Sequence, residues 1–281
     1  MPIKIFAFAD EASKQIDGQI CAMKRNGLQG LEIRGVDGAN VSEITLEKAR
    51  EVRSKLDDNG LITWSIGSPI GKIKITDDFE AHLDTYRHTL EIANILGAKN
   101  IRLFSFYMPK GEAPTLYRNA VMDRMGRFLE VGKDSGIALC HENEKGIYGD
   151  VASRCLDLHQ TLPELQGIFD PANFVQCGQD TLQAWDILKP YIRYMHIKDA
   201  MPDGSVVPAG QGAGNVPYIV GQYLAKGGEA FTMEPHLKVF DGLKKLEEDG
   251  NTSVVGRVVY PDADTAFDVA CNAMKDILKG V

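Results

Sequence analysis

Short apolar runs recur along the chain, and a glycine stands before four of them. These glycines are spaced by 33, 37 and 39 residues, at Gly27, Gly60, Gly97 and Gly136. Each follows a helical stretch, where glycine readily takes the left-handed conformation that ends a helix. Each apolar run is typical of a buried parallel strand. Four further strands are predicted at 3–8, 167–169, 191–197 and 230–234.

The segments between these runs have the periodicity of amphipathic helices. Over 79–96, apolar residues recur every three or four positions and share one helical face. The stretch 46–56 repeats the pattern behind Thr45, a predicted N-cap. Similar patterns predict helices over 115–135 and 262–278.

Eight strands that alternate with helices indicate a parallel sheet. Eight such units in 281 residues predict a (β/α)8 barrel, the TIM barrel fold, as one domain over 1–281. A doubly wound open sheet is the alternative. The segment 238–260 departs from the alternation and is predicted to be a lid, a subunit contact or a solvated excursion.

Composition and charge narrow the class of protein. Hydrophobic residues make up 44% and charged residues 25%, as in globular domains, which excludes a disordered chain. A net charge of −8 disfavours a nucleic-acid partner. No apolar stretch is long enough for a membrane span, and the five cysteines form no CxxC pair. We expect a cytoplasmic protein, with a homo-oligomer as one option.

Metal-ligating residue types end the last four predicted strands, and reactive groups of barrel enzymes lie at these ends. The motifs are His141-Glu142-Asn143-Glu144, Asp170-Pro171-Ala172-Asn173, His196-Ile197-Lys198-Asp199 and Glu234-Pro235-His236. Carboxylates with one imidazole suit Mn²⁺, Mg²⁺, Co²⁺ or Zn²⁺. The sequence therefore predicts one divalent-metal site on this rim.

These motifs resemble the xylose isomerase-like TIM-barrel superfamily, the sugar and sugar phosphate isomerases and epimerases. The resemblance extends over nearly the whole chain, from 8–11 to 266–270. It implies that one divalent metal is bound by Glu142, Asp170, His196 and Glu234. In the ketose epimerases of this superfamily, the two glutamates form the catalytic acid/base pair.

The implied reaction moves a proton next to a carbonyl group. A sugar C–H beside a carbonyl is a weak acid, and a metal that chelates two adjacent sugar oxygens stabilises the enediolate formed on proton loss. A carboxylate on each face of the sugar can remove one proton and return another. The expected partner is therefore a small sugar or polyol.

The chain departs from the ketose 3-epimerases at two positions that hold substrate. Asn173 stands in place of a histidine, and Pro202 in place of an arginine. Lys198 and His236 are the predicted replacements, because alternation along the strands places both on the ligand side. With Asn173 and Glu144 they form the predicted substrate contacts.

A lyase on the same metal site is the alternative function, acting on an inosose-like ketone or a C-glycoside. His141 is its candidate base if the fifth strand ends before this residue, whereas in a regular strand it points away. An apurinic-endonuclease-type phosphodiesterase is disfavoured by only six histidines and the negative charge. The complete ligand set disfavours a non-catalytic binding barrel. The glycine run 210–214 is interpreted as a flexible loop that packs under the substrate, and the helix after it gives weak support for a phosphorylated substrate.

Overall fold

The computed structural model describes residues 3–238 and 258–281. Eight parallel strands form a closed barrel in which each strand pairs with its sequence neighbours and the eighth pairs with the first. They are Lys4–Ala7 (β1), Gly30–Ile33 (β2), Ile62–Ile66 (β3), Asn100–Leu103 (β4), Ala138–Glu142 (β5), Gln166–Phe169 (β6), Ile192–Ile197 (β7) and Ala230–Met233 (β8). The predicted (β/α)8 barrel is confirmed, and the open sheet is wrong.

Helices connect the strands and cover the outside of the barrel. They are Ile16–Arg25 (α1), Leu46–Asp58 (α2), Phe79–Leu96 (α3), Arg118–Gly132 (α4), Ala152–Thr161 (α5), Pro171–Gln176 (α6), Thr181–Leu188 (α7), Val216–Ala225 (α8) and Ala263–Lys279 (α9). The predicted helix over 115–135 is a 3-10 turn, Pro114–Tyr117, followed by α4. A two-stranded hairpin follows β2, in which Gly35–Val36 pairs with Ala39–Asn40. A second hairpin follows β7, in which Asp199–Ala200 pairs with Val206–Val207.

Local signals account for where several helices begin and end. The Thr45 side chain accepts a hydrogen bond from the Lys48 N–H, so Thr45 caps α2 as predicted. All four repeat glycines have φ between 64° and 70°, the left-handed region that favours glycine. Gly97 ends α3 in this way, and its N–H returns to the helix.

The barrel interior is a packed core and not a channel. Side chains that point inward from five strands form one apolar layer, consisting of Phe6, Cys140, Ile168, Tyr194 and Ala230. A much larger apolar cluster lies between the strands and the helices. The inward layer nearest the carboxyl ends of the strands is instead polar, and it carries the candidate site.

The predicted insertion, 238–260, lies outside the described residues apart from Lys238 and 258–260. Within 3–238 and 258–281, the search for a helix with the length and apolar character of a membrane span finds none.

Candidate functional site

The structure brings the four predicted metal ligands together. Glu142 is the last residue of β5, His196 lies in β7, and Asp170 and Glu234 directly follow β6 and β8. One potential ligand atom from each of the four lies within 4.8 Å of the others, and all four residues are buried. Strand alternation explains the convergence, because each side chain occupies an inward position at or just beyond the carboxyl end of its strand.

The donor set fits one divalent metal ion. Two ligands on opposite sides of an ion lie about 4.4 Å apart at bond lengths of about 2.2 Å, so small side-chain adjustments let one ion reach all four. Asp170 Oδ2 and Glu234 Oε2 are buried and accept no well-formed hydrogen bond from the described residues. Buried carboxylate oxygens are stable only beside positive charge, which Lys198 supplies in part and a metal ion would supply directly. Three carboxylates and one imidazole suit Mn²⁺, Mg²⁺, Co²⁺ or Zn²⁺.

His196 is oriented by Glu32, a carboxylate of β2 whose role the sequence does not predict. Its Nε2 lies 3.1 Å from Glu32 Oε2, whereas its Nδ1 faces Glu142 Oε1 at 2.9 Å and Glu234 Oε2 at 3.2 Å. With Nε2 protonated, Nδ1 presents its lone pair to the candidate metal position. Burial opposes the charged form of His196, but Glu142 and Glu32 outweigh it and raise its pKa well above 6.5.

Glu32 is itself held in place from below. Its Oε1 accepts hydrogen bonds from Tyr194 Oη at 2.9 Å and Ser65 Oγ at 3.2 Å. Burial opposes ionisation, but the charge and hydrogen bond of His196 lower the pKa of Glu32 below its ordinary 4.5. The carboxylate is therefore ionised and can fix the imidazole.

Glu142 is fixed on the side away from His196. Arg102 Nη1 donates to Glu142 Oε2 at 3.1 Å, and the Asn173 side-chain amide lies 3.4 Å from Oε1. Asn173 also donates to the Asn143 carbonyl at 2.9 Å. The predicted substrate contact Asn173 thus lies beside a predicted ligand and supports the strand-end loop.

Glu234 lies in a network of cations and acids. His236 Nε2 lies 3.3 Å from Glu234 Oε1, and Arg34 Nη1 lies 3.6 Å from it. His236 has φ of 45°, a conformation that non-glycine residues adopt only under constraint. Its N–H donates to Glu11 Oε2 at 2.6 Å, which supplies that constraint. Burial raises the pKa of Glu11 to about 8 despite the nearby Arg34.

Lys198 contacts two predicted ligands. Its Nζ lies 3.0 Å from Asp170 Oδ2 and 3.4 Å from Glu234 Oε2. Burial raises the pKa of Asp170 to about 7 although Lys198 opposes the shift. Burial also opposes ionisation of Glu234, but Lys198 helps to lower its pKa well below 4.5. Glu144, the remaining predicted substrate contact, forms an ion pair with Lys72 at 3.0 Å.

His141 does not point toward the ligand cluster. Strand β5 continues through Glu142, so His141 occupies an outward position. Its Nε2 lies 2.9 Å from Ser105 Oγ, and its ring packs against His159 with centroids 6.3 Å apart. Burial holds the pKa of His141 well below 6.5. The prediction of His141 as a base in the site depended on an earlier strand end, and the structure removes that basis.

The missed residues share a recognisable signal. Glu32, Arg34 and Arg102 are charged residues at inward positions on β2 and β4 or just after β2, and each is at most 5% exposed. The aromatic ring of Phe8 lies between the two arginines, 4.6 Å from the Arg34 guanidinium carbon and 4.9 Å from that of Arg102. A charge at an inward position of a barrel strand indicates a group that must meet a partner inside.

The fold and this rim define a barrel enzyme architecture, and comparison with known proteins identifies the family. Residues 20–236 match the sequence model of the xylose isomerase-like TIM barrel family, and the chain belongs to that family. A search of curated proteins found no match.

Solved structures of similar fold cover almost the entire chain. The 3-keto-D-glucoside 4-epimerase YcjR from E. coli is 16% identical, with a TM-score of 0.71 and 99% of both chains covered. The probable 3-DHS dehydratase AsbF from Bacillus anthracis is 16% identical, with a TM-score of 0.74 and coverage of 98% of this chain and 99% of that one. The IolI protein, which contains a bound zinc atom, is 12% identical, with a TM-score of 0.76 and 99% of both chains covered. At these identities the likeness concerns the fold.

Proposed function

We propose that the protein is a divalent-metal-dependent isomerase or epimerase of a sugar or related polyol. The observation that carries the proposal is the buried cluster of Glu142, Asp170, His196 and Glu234, whose potential ligand atoms lie within 4.8 Å of one another. When bound there, a divalent ion supplies Lewis-acid stabilisation of the enediolate that proton loss next to a carbonyl creates. Among proteins of similar fold, YcjR is an epimerase and IolI binds zinc.

Glu142 and Glu234 are the proposed acid/base pair. They come from β5 and β8, with two strands between them, and both lie within 3.2 Å of His196 Nδ1. The lowered pKa of Glu234 keeps it in the form that accepts a proton. Arg102 and Asn173 hold Glu142 from its other sides, so its carboxylate has a defined direction.

Lys198 and His236 are the proposed substrate contacts, together with Asn173 and Glu144. Lys198 can donate to a sugar oxygen, and His236 can donate or accept according to its tautomer. Changing Lys198 to Met or His236 to Gln should raise the Michaelis constant or lower turnover while the protein keeps its metal. Unchanged kinetics on the true substrate would remove both from the substrate site.

Solvent exchange tests the proposed reaction. The Mn²⁺-loaded protein is incubated in D₂O with a panel of ketoses, aldoses and inososes, and proton NMR follows label at the carbon next to the carbonyl. We expect label or an epimeric or isomeric product, and we expect Glu142→Gln and Glu234→Gln to slow the reaction by about a hundredfold to ten-thousandfold. Asp37→Asn, a rim carboxylate 25% exposed and paired with Lys48, serves as the matched control.

Two outcomes would redirect or end the proposal. Loss of water or of an aglycone from the substrate would favour the lyase, a function suggested by the similar fold of AsbF. In that case the base is to be sought at His236, because burial lowers the pKa of its imidazole well below 6.5. No reaction and no binding of any panel member by the metal-loaded protein would leave a binding barrel. One ion among Mn²⁺, Mg²⁺, Co²⁺ and Zn²⁺ as the native metal and a cytoplasmic location are further parts of the proposal, with a homo-oligomer as one option.

A further inference from the structure

The loop after β7 is where barrel enzymes often bind a phosphate. In this fold, backbone N–H groups after strands seven and eight, with a helix N-terminus, commonly form such a site. Here the chain passes from β7 through a short hairpin and the glycine run 210–214 to α8. This run is therefore the first place to look for recognition of a phosphorylated substrate.

The glycine run instead surrounds a carboxylate of the protein itself. Asp199 Oδ2 accepts from the N–H groups of Gly210 at 2.9 Å and Gly212 at 3.0 Å. Asp199 Oδ1 accepts from Gly214 at 2.8 Å and Ala200 at 2.9 Å. A Cβ added at Gly212 would lie 2.4 Å from Asp199 Oδ1, and one at Gly214 would lie 2.6 Å from it. Asp199 thus explains why positions 212 and 214 carry no Cβ, and the N–H groups of all three glycines are already engaged.

The described start of the loop after β8 shows the same arrangement at one residue. The His236 N–H donates to Glu11 Oε2 at 2.6 Å. The glycine run after β7 and His236 after β8 therefore both present their backbone donors to an internal carboxylate. A phosphate approaching either loop would meet a negative group and no vacant donor among these N–H groups.

The cations around the ligand cluster are also paired with carboxylates. Arg34 forms two hydrogen bonds to Asp10, at 2.9 and 3.0 Å. The other pairs are Arg102 with Glu142 at 3.1 Å, Lys198 with Asp170 at 3.0 Å and Lys72 with Glu144 at 3.0 Å. Glu11, Glu32 and Glu234 add three further carboxylates, so within 3–238 and 258–281 these four cations face seven acids. Whether or not Glu11 carries a proton, these described groups and a divalent ion together leave no excess positive charge for an anionic substrate.

We propose that the site takes an uncharged ketose or keto-polyol and excludes phosphorylated and carboxylated sugars. This inference rests on the proposed function and specifies its substrate class. Binding an anion here requires breaking a buried ion pair without a replacement partner, and contact between like charges at a buried site is unfavourable.

Matched substrate pairs test the substrate class. The Mn²⁺-loaded protein is given D-fructose against D-fructose 6-phosphate, and D-ribulose against D-ribulose 5-phosphate, in the D₂O exchange assay. Saturation-transfer NMR on the Zn²⁺-loaded protein measures binding in parallel, and metal content is measured afterwards because phosphate esters chelate metals. We expect the neutral member of a pair to have at least about tenfold higher kcat/KM or affinity. A phosphorylated member that reacts or binds equally well or better overturns the inference.

The two proposals fail in different ways. If only the uncharged sugars bind and none of them is exchanged, isomerised or epimerised, the result contradicts the proposed function and supports the proposed uncharged substrate class. Exchange of phosphorylated members contradicts the neutral site and supports the function. Binding of no member of either pair contradicts the neutral site for these sugars.

An Asp199→Ala variant tests why anions are excluded. The substitution leaves the glycine N–H groups without their acceptor, so we expect the preference for the neutral member to fall in a variant that circular dichroism shows to be folded. An unchanged preference in a folded variant overturns the role given to Asp199. If the variant does not fold, the wild-type pairs decide the substrate class.

Discussion

Replacing Glu32 by Gln should weaken metal binding although Glu32 is not itself one of the four proposed ligands. In the wild-type protein, one oxygen of the Glu32 carboxylate accepts a hydrogen bond from His196 Nε2, and the other accepts hydrogen bonds from the hydroxyl groups of Tyr194 and Ser65. This arrangement keeps the proton on Nε2 and leaves Nδ1 free to bind metal. Glu32 is fully buried, so water does not screen the loss of its charge.

The geometry sets the size of the effect. A glutamine at position 32 offers one acceptor oxygen where the carboxylate offers two. If that oxygen faces the hydroxyl groups of Tyr194 and Ser65, the amide N–H₂ faces His196 Nε2. Nε2 must then accept a hydrogen bond, so the imidazole proton moves to Nδ1, the atom proposed to bind metal. If the oxygen faces His196, the tautomer survives but the charge is lost. Losing such a partner typically weakens metal affinity about 10- to 100-fold, or about 1.4 to 2.7 kcal/mol.

Competition with a fluorescent chelator measures the effect for Mn²⁺ and Zn²⁺, and circular dichroism checks the fold. Tyr194→Phe is the matched control, because it removes one hydrogen bond to Glu32 but keeps the charge and the contact with His196. We expect the control to change the affinity much less than Glu32→Gln does. Equal affinity in wild type and folded Glu32→Gln would refute the assignment of Glu32 as the residue that orients His196.

Three further predictions concern the metal and the fold. The Asp170→Ala and His196→Ala proteins should each lose bound metal but keep the folded barrel, because the stability of a large core does not depend on one metal site. Elemental analysis measures the metal content, and wild-type content in both variants would contradict the prediction. Metal binding should release up to two protons near pH 6 and weaken as pH falls, because the metal-free protein holds one proton on His196, whose pKa is raised, and one on Asp170, whose pKa is about 7. Calorimetry in buffers of different ionisation enthalpy should detect this release, and the absence of proton release would contradict the prediction. Burial lowers the pKa of His159 to about 4, so the unfolded chain gains a proton below about pH 6.5 that the folded chain does not take up. Between pH 7 and 5, the wild-type protein should therefore lose about 2 kcal/mol more unfolding free energy than His159→Gln does, as measured by urea titration. Equal losses in the two proteins would show that His159 does not cause the effect.

Much of the fold follows from local signals. The periodicity of 79–96 and the N-cap Thr45 act over a few residues, as does the left-handed conformation of Gly97, so a sequence pattern can predict them. The convergence of the four ligands also follows, because parallel strands of a barrel direct their ends to one rim. The roles assigned to the ligands are still a proposal.

The supporting contacts could not be predicted in the same way. Glu32 meets His196 across 164 positions of sequence, and Arg102 meets Glu142 across 40. Strand alternation shows that such charges point inward, but only barrel closure and register choose their partners. The direction of His141 depended on whether β5 ends one residue earlier or later, and sequence patterns locate strand ends less exactly than that. From the sequence, the glycine run 210–214 is interpreted as a loop under the substrate with weak support for a phosphorylated substrate, whereas in the structure the N–H groups of its glycines are hydrogen-bonded to Asp199.

The account depends most on a single metal centre formed by Glu142, Asp170, His196 and Glu234. Anomalous diffraction at the manganese edge, on crystals of the Mn²⁺-loaded protein, tests it directly. We predict one peak per chain, about 2.0 to 2.3 Å from one oxygen of each carboxylate and from His196 Nδ1. No peak at this position, or a peak held by other residues while Lys198 keeps its contacts with Asp170 and Glu234, would contradict the account.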